Sequence, residues 1–311
     1  MTISEGRLTY DAPDGFVSGP IPSAASIGTF DGLHRGHQLV ISTLTAAAAD
    51  RRLRPLVFSF DRHPLSVIDP RRAPSILMRP ERRDRKLAEL GVLPICVHFT
   101  PEIQHLSSKE WMRILRDTFG VRLLVIGYDN TFGSDGRHIS HAELCANALQ
   151  LGIEPIDSPK HEGASSSKAR KAIAAGDVSA ASRILGYPYT LYGTVVKGEQ
   201  IGRTIGFPTA NLVPEPGSAI PANGVYASLA VLPDRTEFPA MVNIGSRPTV
   251  GDGLSPTIEA NIIDFSGNLY GEPLAIRFMK RLRDEQKFPD LAQLKSQLEK
   301  DRTQTLLLFG I

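Results

Sequence analysis

Ten consecutive residues carry most of the chemistry in this chain: Gly28-Thr29-Phe30-Asp31-Gly32-Leu33-His34-Arg35-Gly36-His37. They follow the apolar run Ala24-Ala25-Ser26-Ile27, which predicts a buried strand. They precede residues 38–49, whose composition and apolar spacing predict a helix. Three glycines and two histidines therefore fall on a strand-to-helix turn. Free backbone N–H groups and a helix N-terminus meet at such a turn, which suits a phosphate. Two imidazoles there place hydrogen-bond donors on a phosphoryl oxygen.

A second group of such residues lies far downstream. Gly198, Gly202 and Gly206 punctuate a loop whose backbone can approach phosphates closely; a glycine-punctuated hairpin accounts for them equally. Thr209 and Asn211 lie two apart, so on a strand both side chains share a face. A hydroxyl and an amide oxygen are hard ligands appropriate to Mg²⁺, although ordinary turn and strand polarity also fits. Glu259 is a lone carboxylate in the apolar run Thr257-Ile258-Glu259-Ala260-Asn261-Ile262-Ile263. It must be satisfied or used there, or else point outward in the alternation Glu259, Asn261, Ile263.

The elements that hold these residues change character along the chain. In the first half, strands predicted at 24–29, 55–60, 94–99, 122–126 and 153–156 alternate with helices near 37–50, 81–90, 107–119 and 141–151. Ser107-Ser108-Lys109-Glu110 supplies a capping pattern for the third helix. Such alternation predicts an α/β domain with a doubly wound parallel sheet, whose ligands bind beyond the carboxyl ends of the strands. The segment 165–185 reads as helical and closes this domain, placing the boundary at 186/187. From there, six short β-rich runs (189–196, 209–213, 224–232, 240–244, 257–263 and 274–279) predict a compact antiparallel barrel. A terminal amphipathic helix follows over 291–308.

Composition narrows the classes of function. The 311 residues exceed what one core usually holds, ~250 residues. A hydrophobic share of 41% and a charged share of 22% describe a soluble globular chain. A net charge of +2 calls for neither nucleic acid nor membrane. The clustered arginines (Arg51, Arg52 and Arg54, then Arg79, Arg82, Arg83 and Arg85) read as solvated faces. Cys96 and Cys145, far apart in apolar surroundings, read as reduced core thiols, neither a disulfide framework nor a metal site. No basic and apolar leader is present at the N-terminus and no run approaches the ~20 apolar residues of a membrane span, so cytoplasm is expected.

His34-Arg35-Gly36-His37 resembles the H-x-G-H signature of the nucleotidyltransferase superfamily. Gly206-Phe207-Pro208-Thr209-Ala210-Asn211 resembles the G-F-P-T-A-N signature of riboflavin kinases. Asn243–Thr249, Ile258–Asn261, Tyr270-Gly271 and Lys280–Phe288 follow in the order of that family. Together, over residues 20–302, the chain resembles the bacterial bifunctional riboflavin kinase/FMN adenylyltransferase family.

The resemblance implies an adenylyltransferase domain over 1–186 and a riboflavin kinase domain over 187–311. Riboflavin is phosphorylated to FMN in the second, and FMN is adenylylated to FAD with release of pyrophosphate in the first. ATP is the implied co-substrate and Mg²⁺ the cofactor, with riboflavin, FMN and ATP as small-molecule partners and FMN and FAD as product ligands. No nucleic acid or membrane is expected among the partners. Catalytic roles fall on His34, His37 and, as general base, Glu259. Gly28, Phe30, Asp31, Gly36, Asp129, Asn130, Ser166 and Arg170 are implied to bind ATP or FMN in the first domain. Gly198, Gly202, Gly206, Pro208, Arg283 and Glu285 are implied to bind ATP or flavin in the second, with Thr209 and Asn211 on Mg²⁺. Arg283 and Glu285 also read as a plain surface charge run, and Ser165 to Ser167 as a helix cap. The chain departs from the family at Arg62, Asn130, Ser167 and Ala169, changes that bear on affinity and substrate preference rather than on the reaction. Two other readings remain open: a riboflavin kinase with a weak or altered nucleotidyltransferase domain, and a non-catalytic flavin- or RNA-binding regulator using 79–85.

Overall fold

Short apolar runs flanked by turn residues become strands in both halves of the chain. The computed structural model describes residues 1–128, 132–136, 138–198, 201–248 and 254–311. The chain divides into two compact units, Met1–Ala164 and Ser165–Ile311.

In the first unit, β1 (Thr2–Glu5), β2 (Leu8–Asp11), β3 (Ser23–Ile27), β4 (Arg54–Phe60), β5 (Leu93–Val97), β6 (Val121–Ile126) and β7 (Glu154–Asp157) form one sheet. Their order is β1-β2-β5-β4-β3-β6-β7. β3 to β7 are parallel, as the alternation predicts. The β1–β2 hairpin adds antiparallel to the edge at β5 and is absent from the sequence reading. Four-residue strands, the second burying Leu8 and Tyr10, give too few periods to be read. β3 lies where the strand order reverses, so the turn that follows it opens into the crevice between diverging connections.

Among the described residues, this unit holds the α-helices α1 (Arg35–Arg51), α2 (Leu65–Ile68), α3 (Pro80–Glu89), α4 (Pro101–Gln104), α5 (Ser108–Phe119) and α6 (His141–Gln150). Both faces of the sheet are covered, because Ala24 feeds one apolar cluster and Ala25 and Ile27 the other. Ser107 and Glu110 form the expected capping box on α5. Arg83 departs from its reading as a solvated arginine. It is 4% exposed and donates to the Phe60 carbonyl at 2.8 Å, the Thr29 carbonyl at 3.4 Å and the Cys96 sulfur at 3.4 Å. It thereby ties the ends of three neighbouring strands under the crevice. Cys96 is buried as expected, whereas Cys145 is half-buried at the core's margin.

The second unit opens with α7 (Ser166–Ala174) and α8 (Val178–Leu185). β8 (Thr190–Val196), α9 (Ile201–Thr204), β9 (Ala210–Pro214), β10 (Gly224–Val231), β11 (Glu237–Pro248), β12 (Leu254–Ile262), β13 (Pro273–Arg283) and α10 (Leu291–Leu308) follow. The six strands close into an antiparallel barrel in the order β10-β11-β12-β9-β8-β13. As a compact unit this half begins at Ser165. Ile173, Val178, Ala181 and Leu185 are fully buried, and the Ala222 amide and Ser179 hydroxyl tie α7 to the 222 turn and α8 to β13. Among the described residues no helix is long and apolar enough to cross a membrane.

Candidate active sites

Gly28 leaves β3 with its amide on the Phe58 carbonyl at 3.0 Å, and the chain then turns through left-handed geometry at Phe30 (φ 48°) and Gly32 (φ 74°). His34 caps α1: its Nδ1 accepts the His37 amide at 3.2 Å, so in the neutral ring the proton sits on Nε2. The His34 and His37 rings stack with centroids 3.6 Å apart. Gly36 makes this possible, because a Cβ there would press on His34 Cε1 and Nδ1 at 3.1 Å. Burial, and secondarily the neighbouring His34, hold the His37 imidazole well below its ordinary pKa. The pair is therefore preorganised as stacked imidazoles at a helix N-terminus, with His37 neutral at pH 7 and its Nδ1 buried without a partner among the described residues.

Two neighbours expected to touch ligand have other partners. Phe30 is 3% exposed and packs in the core beneath α1. The Asp31 carboxylate accepts the Leu77 amide at 3.2 Å and the Met78 amide at 3.0 Å, stapling that loop to the turn. Both shape the turn from within. Gly28 and Thr29 instead open onto a cleft of about 980 Å³ walled by Phe60, Phe99, Trp111 and Phe132, with Arg71 and Arg72 also lining it. His63, in the same region, accepts the Leu65 amide at 3.2 Å and acts as a cap.

In the barrel, alternation sends Ile258, Ala260 and Ile262 inward and Glu259 and Asn261 outward. The outward face is not bulk solvent here. Glu259 and Asn261 line a cavity of about 310 Å³ with Thr209, Asn243, Arg283 and Glu285, walled by Leu294 and Leu298 of α10. The two readings of Glu259 thus merge: it points off the barrel and into a pocket. In register, Glu259 pairs with Asn211 on one side and Asn243 on the other, which puts three polar side chains in one row. A second cavity of about 460 Å³ is lined by Arg203, Pro208, Thr209, Asn268 and Tyr270. Thr209 borders both.

Gly198 leaves room for the Asn211 amide, which would overlap any Cβ at that position. Gly202 allows the same close approach to the Phe207 carbonyl, and Gly206 has φ +87°. Asn261 Nδ2 donates to the Pro208 carbonyl at 2.8 Å, fixing the residue before Thr209. Arg283 lines the smaller cavity while its Nε and Nη2 hold Asp301 of α10, at 3.1 and 2.8 Å.

The riboflavin kinase family model matches residues 185–309 and the FAD synthetase model residues 18–168. The bifunctional riboflavin kinase/FMN adenylyltransferase of Escherichia coli K12 is 34% identical over 292 residues, covering 92% of each chain. The chain belongs to the bifunctional riboflavin kinase/FMN adenylyltransferase family. The family's proteins from Listeria monocytogenes and Bacillus subtilis are 34% and 33% identical, each over 93% of both chains. A crystal structure from Streptococcus pneumoniae, described as a macrolide-efflux protein, matches with a TM-score of 0.80 and 32% identity. It covers 91% of this chain and 94% of that one.

Within this family frame, Asp129 and Asn130 lie outside the described residues. Ser166 and Arg170 lie in the first turns of α7, behind Ser165, whose hydroxyl accepts the Lys168 amide at 3.2 Å. Sequence reasoning missed Asn243 and Arg203, which line these cavities. Strand register would have signalled Asn243.

Proposed function

We propose that the barrel phosphorylates riboflavin to FMN and that the first unit joins FMN to AMP from ATP, giving FAD and pyrophosphate. The observation that carries the kinase reading is Thr209 at the meeting of two cavities, with Glu259 in the one beneath α10. The flavin takes that cavity, against Leu294, Leu298 and Met241, and ATP takes the other, with Arg203 beside its phosphates. Glu259 accepts the proton of the ribityl hydroxyl as its oxygen attacks the γ-phosphorus and the bond to ADP breaks. Thr209 and Asn211 offer the hard oxygen donors that fit Mg²⁺, which would neutralise charge on the transferred phosphoryl group. Asn261 fixes Pro208 and hence the approach of Thr209.

In the first unit an FMN phosphate oxygen attacks the α-phosphorus of ATP and pyrophosphate leaves. The nucleophile is already anionic, so positioning and charge stabilisation suffice. His34, with its proton on Nε2, and neutral His37 direct N–H donors toward the oxygens that gain charge. The aromatic-walled cleft beside Gly28 and Thr29 suits the isoalloxazine ring. Gly36 keeps the pair in place. An RNA-binding role for 79–85 loses a central residue, because Arg83 is buried.

Chromatography of products from riboflavin, ATP and Mg²⁺ tests both halves. FMN followed by FAD is expected. No FMN would overturn the barrel assignment, and FMN without FAD would overturn the other.

A further inference from the structure

Away from both candidate active sites, three side chains of different chemistry converge at one margin of the parallel sheet. His141 opens α6, Cys145 lies one turn on, and Asp157 ends β7. Their donor atoms all lie within 4.8 Å of one another. His141 Nε2 is 2.8 Å from Asp157 Oδ1 and 3.5 Å from Cys145 Sγ. The i, i+4 spacing on α6 puts the imidazole and the thiol on one face, and β7 brings the carboxylate to them from 12 residues beyond Cys145. Cys145, read from the sequence as a reduced core thiol, thus has an imidazole and a carboxylate as neighbours.

We propose that His141, Cys145 and Asp157 form a binding site for a divalent ion of the zinc class, with the fourth coordination position open to water. The donor set selects this class. Thiolate is soft, imidazole borderline and carboxylate hard, a mixture that suits Zn²⁺ and its tetrahedral analogue Co²⁺ and disfavours Mg²⁺ or Ca²⁺. The three donors lie within 4.8 Å of one another, so the sulfur–carboxylate separation closes by at most about 1.3 Å on binding. Bonds of about 2.3 Å to sulfur and about 2.0 Å to nitrogen and oxygen put tetrahedral donors roughly 3.3–3.6 Å apart. The sulfur–nitrogen separation already satisfies this, and the His141–Asp157 hydrogen bond opens by roughly half an ångström. Glu143, the nearest other acid on α6, is committed to the capping box with Ser140, leaving the fourth position to solvent. His141 and Asp157 are 51% and 63% exposed in their side chains, so an ion reaches them without any opening of the fold. The bound ion would clamp α6 to the sheet edge at β7.

The test uses the full chain, stripped by chelator and titrated with Co²⁺ and then Zn²⁺ without nucleotide. One equivalent of Co²⁺ is expected, with a thiolate-to-cobalt charge-transfer band and tetrahedral visible bands. Cys145→Ser should abolish the charge-transfer band, while Cys96→Ser keeps it. His141→Gln and Asp157→Asn should each weaken Zn²⁺ by at least about 10-fold, the low end of what even outer-shell changes cost a metal site. Trp111 fluorescence checks that the first unit stays folded, and Cys145→Ala replaces the serine variant if it does not. The absence of a charge-transfer band, its survival in both Cys145 variants, or an unchanged Zn²⁺ affinity in His141→Gln and Asp157→Asn would overturn the proposal.

Discussion

Arg283→Met is expected to destabilise the barrel unit more than Asp301→Ala, although both remove the same ion pair. Asp301 is 1% exposed in its side chain, and its oxygens accept from Arg283 Nε and Nη2 and from Gln297 Nε2 at 2.9 Å. Removing the guanidinium leaves a buried carboxylate with only Gln297. Breaking a buried pair costs about 3–5 kcal/mol, and the surviving hydrogen bond brings this to about 3 kcal/mol. Arg283 is 15% exposed, borders the flavin cavity, donates to the Asp284 carbonyl at 3.0 Å and lies over the Phe288 ring. Left alone by Asp301→Ala it reaches water, so the cost is about 1–2 kcal/mol. Arg283→Met combined with Asp301→Leu removes both charges and should return to within about 1 kcal/mol of the parent. For a unit of roughly 150 residues these costs lower the barrel transition by about 6–12 °C and about 2–8 °C. Calorimetry of the full chain reads them, and the single tryptophan, Trp111, assigns the other transition to the first unit. Equal losses in the two single variants, or a double variant as unstable as their sum, would refute the reasoning.

His37→Ala should abolish FAD formation and leave FMN formation unchanged, whereas Glu259→Gln should slow phosphorylation about 10²–10⁴-fold and spare adenylylation of supplied FMN. Loss of both activities in either variant, with the fold intact, contradicts separate sites. Gly36→Ala drives a methyl against the His34 ring and should slow adenylyl transfer by about 10-fold or more, read in the same assay. Stability of the first unit should fall as pH drops below about 6.5. The fold keeps His37 neutral while the unfolded chain protonates it, so the unfolded state binds more protons there. The slope reaches up to about 1.4 kcal/mol per pH unit, down to the depressed folded value. Urea titrations followed by Trp111 at pH 7, 6 and 5 measure it, and His37→Gln should flatten it; an unchanged slope removes His37 as the cause.

Period and punctuation made most of the fold legible. The five parallel strands and all six barrel strands follow from apolar runs and turn residues, and α5 from its capping box. The β1–β2 hairpin was not, because an edge pair buries one face over two residues. The helices over 166–185 read correctly as helices, but which core takes their apolar face is a tertiary matter and they pack with the barrel. Site residues divide in the same way. His34 and His37 stand out by type and spacing, whereas Thr209, Asn211 and Glu259 take their roles from the family resemblance. Asp31 and Phe30 share the motif, yet their partners are a distant loop and the core, which no local pattern reveals. Arg83 misled because three other arginines surround it in sequence. Its burial depends on the carbonyl ends of strands far away in the chain.

The contact between Arg83 and Cys96 has a use in the laboratory. Burial pushes the Cys96 thiol up to about 12, and the residue is 5% exposed on a strand inside the sheet. An alkylating reagent therefore modifies half-buried Cys145 first and reaches Cys96 only when the first unit opens. The second labelling event runs at the intrinsic rate multiplied by the open fraction. For an opening free energy of about 5 kcal/mol that is a slowing on the order of 10³–10⁴-fold. Two native thiols, told apart by mass, thus give a clock for the motions of the nucleotide-handling half, with no added label.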